Sequence, residues 1–181
     1  MKVLLVAAPR PSTNETALHM GDGRPPMGLA YISAYLEKFG HETKIVDLYH
    51  FGGDHESERQ SKKVTATICH VIKNYDPIDV FKEIDDYKPD IIGMYIGTIS
   101  YYRGTSLIKE IKKRYPDIPT MAGGPHAIEL PETLTDYFDY VVSGEGEIAA
   151  LGIVEGKIKE KGIIRRNNID DINDLPFPDF R

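Results

Sequence analysis

Cysteine is nearly absent from this sequence: Cys69 is the single one among 181 residues. One thiol excludes an internal disulfide and any cysteine-based metal site within the chain, and it fits a reducing, cytoplasmic compartment. Long apolar runs are missing as well. The N-terminal stretch Val3 to Ala8 is far too short for a signal-peptide core or a membrane span. Positive charge is in deficit, with 22 Lys and Arg against 28 Asp and Glu and a net charge of −6. Its clusters are confined to Lys112-Lys113-Arg114 and Arg165-Arg166, which leaves no electrostatic footprint for nucleic acid. The first apolar run is followed by no Gly-x-Gly-x-x-Gly, so the dinucleotide fingerprint is lacking too.

What is present is a regular alternation of strand and helix patterns. A 41% hydrophobic content is enough for a real core, and the length suits one domain with an extension. Val3 to Ala8 is continuously apolar, as expected of a central strand buried on both faces of a parallel sheet. From Pro9 to Pro25 the chain is rich in Pro, Ser, Thr, Asn and Gly, a long loop of the kind that carries function. Pro25-Pro26 opens a helix with Leu29, Ile32, Leu36 and Phe39 on one stripe, and Gly40 ends it. Thr43 to Leu48 reads as the second strand, at the sheet edge. Residues 50–63 read as an exposed insertion, followed by helical pieces over 64–75 and 77–87 broken at Pro77. Cys69 falls in the first of these and reads as a small core hydrophobe.

Asp90 to Ile96 is the third strand, followed by a Gly97-Thr98-Ile99-Ser100 loop and a helix marked by Leu107, Ile108 and Ile111. Thr120-Met121-Ala122 is the fourth strand, and it stops at Gly123-Gly124. Two consecutive glycines at a strand's carboxyl end clear both side chains from where a ligand or another backbone must come close. Tyr140 to Ser143 is the fifth strand, and Gly144-Glu145-Gly146-Glu147 opens the last helix. Five such units predict an α/β fold, a flavodoxin-like (Rossmann-like) doubly wound parallel sheet of order 2-1-3-4-5, with ligands outside the carboxyl ends of its strands. From about Gly156 the periodicity fades. The chain thus divides into a domain over 1–155 and a linker over 156–181.

The loops choose between ligands. A phosphoacceptor domain needs acidic residues where Ala8-Pro9 and Gly97-Thr98 stand. A flavodoxin-type phosphate cradle needs hydroxyls around a glycine at a helix N-terminus. Ser12-Thr13-Asn14-Glu15-Thr16 has the hydroxyls, lacks the glycine and carries a carboxylate, so a stand-alone module binding FMN or a nucleotide is the alternative reading.

Five pieces in order carry a resemblance: Pro25-Pro26-Met27-Gly28-Leu29-Ala30-Tyr31, Asp90-Ile91-Ile92-Gly93, Gly123-Gly124-Pro125-His126-Ala127, Asp139 through Glu147, and Leu175-Pro176-Phe177-Pro178-Asp179. Together they closely resemble the N-terminal cobalamin-binding domain of cobalamin-dependent radical S-adenosylmethionine enzymes, over nearly the whole chain. The resemblance implies a cobalamin nucleotide tail passing close to Gly123 and Gly124, with Thr98 and Ser100 as hydrogen-bond donors. Pro125, Gly144 and Glu145 belong to the same edge. Tyr101-Tyr102 are placed to cover a corrin face or to pack a loop onto the sheet. His126 reads as a hydrogen-bonding partner of a loop carbonyl or a cobalamin amide. Glu145 and Glu147 sit where a helix N-terminus favours carboxylates.

The sequence departs from the methionine-synthase type of cobalamin domain in two places. Its Asp-x-His-x-x-Gly is absent from the 9–25 loop, and its Ser-x-Leu is replaced by Tyr95-Ile96-Gly97. The resemblance therefore implies cobalamin bound base-off, without a protein histidine on cobalt, with His19 in the long loop as the residue to keep open as a cobalt ligand. The radical domain needs Cys-x-x-x-Cys-x-x-Cys for an iron-sulfur cluster and S-adenosylmethionine, and those belong to a domain missing here. On this reading the chain alone does not catalyse, and the parent enzyme performs methyl transfer or oxidative cyclisation.

Overall fold

A strand whose successive side chains are all apolar can be buried only between two layers, and the first strand is in that position. In the computed structural model, which describes residues 1–9, 26–48, 77–165, 169 and 171–178, β1 (Lys2–Ala7) lies inside a parallel sheet. Leu4, Val6 and Ala8 enter one hydrophobic cluster while Val3, Leu5 and Ala7 enter another on the opposite face. The continuous apolar run is thus two alternating half-patterns superimposed.

The elements follow in the order α1 (Met27–Lys38), β2 (Glu42–Asp47), α2 (Pro77–Tyr87), β3 (Ile91–Tyr95) and α3 (Tyr101–Arg114). Then come β4 (Thr120–Gly123), the one-turn α4 (Pro125–Glu129), β5 (Tyr140–Ser143), α5 (Gly146–Val154) and β6 (Gly162–Arg165). Short 3₁₀ turns occupy Thr98–Ser100, Pro131–Leu134 and Ile172–Asp174. Strand order is β2-β1-β3-β4-β5-β6, every pair parallel. Helices α2, α3 and α4 cover one face through Val80, Ile84, Leu107, Ile108, Ile111 and Ala127. Helices α1 and α5 cover the other through Leu29, Leu36, Ala149, Ala150 and Ile153.

The flavodoxin-like order is as expected, but among the described residues the sheet has six strands, not five. Gly162-Ile163-Ile164-Arg165 adds to β5 from the stretch read as a linker. Two apolar residues in four, half-exposed on an edge, are too weak a pattern to stand out from polar flanks. Phe39 also departs from the α1 stripe. It is the helix C-cap, 46% exposed, and its ring leans on Tyr35 at 5.1 Å. The loop over 10–25, the insertion over 50–63 and Cys69 lie outside the described residues.

Below the sheet, Asp139 ties several elements together. Its carboxylate accepts from the Thr120 amide and hydroxyl, both at 2.9 Å, and pairs with Lys161 at 2.8 Å and Lys112 at 3.3 Å. Burial pushes this acid upward, but Lys161, the two Thr120 donors and Lys112 outweigh it and hold the pKa at about 2. One side chain thereby clamps the start of β4 to β5, β6 and α3.

Candidate functional site

On the α1 and α5 face, at the carboxyl edge of the sheet, lies a cavity of about 380 Å³. Its floor is the pleat itself: Leu5 of β1, Gly93 of β3, Met121 of β4 and Val142 of β5. Gly93 has no side chain to contribute there. A Cβ on it would come within 2.9 Å of the Leu5 and Met121 tips, which close beneath the hollow. Gly123 stands two residues after Met121 on the same side of the pleat, and a Cβ there would meet nothing within 4 Å. Gly28, Leu29 and Ile32 of α1 and Gly146, Glu147 and Ala150 of α5 form the walls. A volume in the lower ligand-pocket range, with mostly apolar walls and few polar groups, suits a small, largely apolar group.

The turn after β4 is built by its second glycine. Gly124 has φ +98°, a region side-chain-bearing residues avoid, and a Cβ there would lie 2.8 Å from Tyr95 Cδ2 and 3.0 Å from the Ile96 carbonyl oxygen. The Ile96 carbonyl accepts from the His126 amide at 3.1 Å, which draws the β3 and β4 loops together.

Of the residues picked out from sequence, Gly123, Gly124, Pro125, Gly144 and Glu145 all line the cavity. Thr98, Ser100, Tyr101 and His126 do not. They gather on the other side of the β3–β4 edge, over α3 and α4. Ser100 is fully buried, and its hydroxyl accepts from the Gly97 amide and donates to the Gly97 carbonyl, each at 3.0 Å, so it holds its own turn. Thr133 Oγ1 donates to the Leu130 carbonyl at 2.7 Å and therefore accepts from His126 Nε2 at 3.0 Å. His126 Nδ1 is then the acceptor facing the exposed Thr98 hydroxyl at 3.4 Å. Burial lowers the His126 pKa, which favours this neutral form. Tyr101 packs on the imidazole at a centroid distance of 4.5 Å and donates its hydroxyl to the Thr133 carbonyl. Its neighbour Tyr102 is 84% exposed. His19 lies outside the described residues.

Sequence reasoning missed the outer wall. Ile169 and Leu175 line the cavity, although both fall in the stretch read as a linker. The Ile169 amide donates to Glu145 Oε2 at 2.9 Å, and Lys38 Nζ donates to the Asp174 carbonyl at 2.9 Å. The C-terminal segment is thus fastened to the first residues before α5 and to the end of α1. Gly93, quoted only within the Asp90-Ile91-Ile92-Gly93 piece, was not named as a site residue, although it lines the cavity with Tyr95 two residues on.

A family model of the B12 binding domain matches residues 19–154, well over half of the chain. The chain belongs to the B12 binding domain family. Cobalamin is its cofactor, and the cavity lies within the matched region apart from Leu5 of the floor and the C-terminal wall. The uncharacterized methyltransferase PH0819 of Pyrococcus horikoshii is 26% identical over 200 aligned positions, covering 99% of this chain and 38% of that protein. The anaerobic magnesium-protoporphyrin IX monomethyl ester cyclase of Rubrivivax gelatinosus is 25% identical, covering 95% of this chain and 27% of that protein. The cobalamin-dependent radical SAM methyltransferase TokK of Streptomyces tokunonensis is 32% identical over 76 positions, covering 40% of this chain and 11% of that protein. These are the enzyme types that the five sequence pieces resemble. The chain spans less than two fifths of the length of each of them. Among the described residues, no helix is long and apolar enough to cross a membrane.

Proposed function

We propose that this chain is the cobalamin-holding part of a larger cytoplasmic radical S-adenosylmethionine enzyme, and that the parent enzyme transfers a methyl group or closes a ring. The observation that carries this reading is the apolar cavity at the carboxyl edge, with glycines where a tail must pass. Its lining fits the tail's flat, apolar base. Above it, Met27, Ile99, Tyr102 and Ile148 leave apolar surface exposed at the starts of elements that follow the strands, and Ile128 does so near the end of the one-turn α4, a rim that suits the corrin's broad face. Glu145 and Glu147 disfavour the tail's phosphate at the α5 corner and leave it to the Gly123-Gly124 side.

When bound, cobalamin supplies a cobalt–carbon bond from which a methyl group can be transferred. The chain's own residues bind and orient it and exclude water from its tail. Gly123, Gly124, Pro125 and Gly144 give the tail passage, Leu5, Met121 and Val142 its floor. Thr98, whose hydroxyl meets His126 Nδ1, is exposed beside Ile99 of that rim. Residues 156–181 lead toward the radical domain, where the iron-sulfur cluster and S-adenosylmethionine belong. No histidine lines the cavity among the described residues, and on this reading the cofactor would be held base-off.

The test is the absorption spectrum of the purified chain after incubation with methylcobalamin and removal of free cofactor. A retained chromophore with the methylcobalamin band at its base-off position, unchanged by His19→Ala, supports the proposal. A histidine-ligated spectrum that disappears in His19→Ala overturns the ligand-free site. Retention of FMN in place of cobalamin supports the flavodoxin-like alternative.

A further inference from the structure

A cavity that is apolar on its floor concentrates recognition in whatever polar groups remain on its wall. Among the described residues that line it, the acids are Glu145 and Glu147. They are not equivalent. Glu145 is exposed, and one of its oxygens is occupied by the Ile169 amide. Glu147 is half-buried, and none of the ion pairs among the described residues includes it. Burial raises its pKa and the neighbouring Glu145 adds to this, against some easing by the amides of Glu147 and Gly146. A carboxylate placed for helix capping alone gains as much from an exposed position and avoids that desolvation. Its place against the cavity therefore has a reason outside the protein's own stability.

We propose that Glu147 accepts hydrogen bonds from the ribose hydroxyls of the nucleotide tail and so selects cobalamin over corrinoids that lack the tail. This rests on the cobalamin reading above and adds to it a residue that determines specificity. The chemistry is one-sided. A carboxylate accepts from hydroxyls and disfavours phosphate, so within the tail the sugar is the group it recognises. The floor beneath it, Leu5, Met121 and Val142, offers the base burial with no polar partner, and Glu145 is held by the C-terminal segment. Glu147 is thus the acid left to read the sugar. Charge-assisted hydrogen bonds are about twice as strong as neutral ones, so their loss is readable as an affinity.

The experiment compares dissociation constants of the chain for cobalamin and for cobinamide, which keeps the corrin and its amides but lacks the nucleotide. Cobalamin is expected to bind Glu147→Ala about tenfold more weakly than wild type, and Glu147→Gln to an intermediate degree. Cobinamide affinity is expected to stay unchanged in both. Circular dichroism and thermal melting of the two variants separate loss of recognition from loss of fold, and Glu147→Gln preserves the shape of the side chain. Equal weakening of both corrinoids, or unchanged cobalamin binding by a folded Glu147→Ala, overturns this assignment and leaves the cobalamin reading intact. Failure of wild type to retain either corrinoid overturns both.

Discussion

At the residue scale, the two adjacent glycines serve different ends, and their variants separate folding from binding. Gly124 is demanded by the backbone: at φ +98°, a methyl on its Cα would lie 3.0 Å from the Ile96 carbonyl oxygen, which leaves no room for relaxation on the backbone side. Gly124→Ala is expected to cost about 1–3 kcal/mol of stability in a denaturant melt. Gly123 is demanded by the cavity instead. Its Cβ direction is open, so Gly123→Phe is expected to leave the melting temperature near that of wild type while filling the hollow and abolishing cobalamin retention after desalting. A Gly123→Phe protein that still holds cobalamin would place the tail elsewhere. The pair Gly-Gly was legible as a point of close approach, but which glycine serves which purpose depends on φ and on the pleat. His126 was legible only as a polar residue beside the turn. Its neutral form follows from Thr133, seven residues away, whose hydroxyl is committed to Leu130.

At the element scale, the strands on the β4 side of the sheet are short, and β4 pairs with β5 through only Met121 with Tyr140 and Ala122 with Val141. The Asp139 clamp fixes the lower end of the strand whose upper end forms the glycine turn. Its folded pKa of about 2 lies below the ordinary 3.8, so its contribution is fully present above pH 4 and is lost as pH falls toward 2. Allowing for screening of the exposed Lys161, the contribution at neutral pH is about 1–2 kcal/mol. Asp139→Asn is expected to lose that stability at pH 7 and to show a shallower decline between pH 4 and pH 2 in parallel denaturant titrations. Superimposable acid limbs for the two proteins would deny Asp139 this role. The elements themselves were legible wherever periodicity was strong, as in α1, α3 and the buried strands. β6 was not, because an edge strand with one solvated side needs few apolar residues, and the outer wall was not, because Ile169 and Leu175 gain their meaning only from where β6 delivers them.

At the scale of the whole molecule, the sheet order places β1, β3, β4 and β5 side by side, so residues far apart in sequence, Leu5, Gly93, Met121 and Val142, become one floor. Alternation of strand and helix was enough to predict that order, and the carboxyl edge with it. It could not predict which face is hollow. That depends on α1 and α5 being packed by small residues, with a Cβ on Gly146 falling 2.6 Å from Ile32 Cδ1, while the opposite layer is filled by Ile96, Leu107, Ile108 and Ile111. A hollow between two helices and a sheet is a cost to the unliganded protein, since its lining lacks contacts on one side. A ligand that fills it must therefore stabilise the fold by mass action. With free cobalamin at a hundredfold its dissociation constant, the gain is about 2.7 kcal/mol. For a chain of this size that corresponds to a melting temperature raised by roughly 5–10 °C. Cobinamide, which can rest on the rim but leaves the cavity unfilled, is expected to give a clearly smaller rise at the same concentration. Differential scanning fluorimetry with both corrinoids measures this directly. Equal shifts would mean that the corrin carries the binding energy and that the cavity is not where the tail goes.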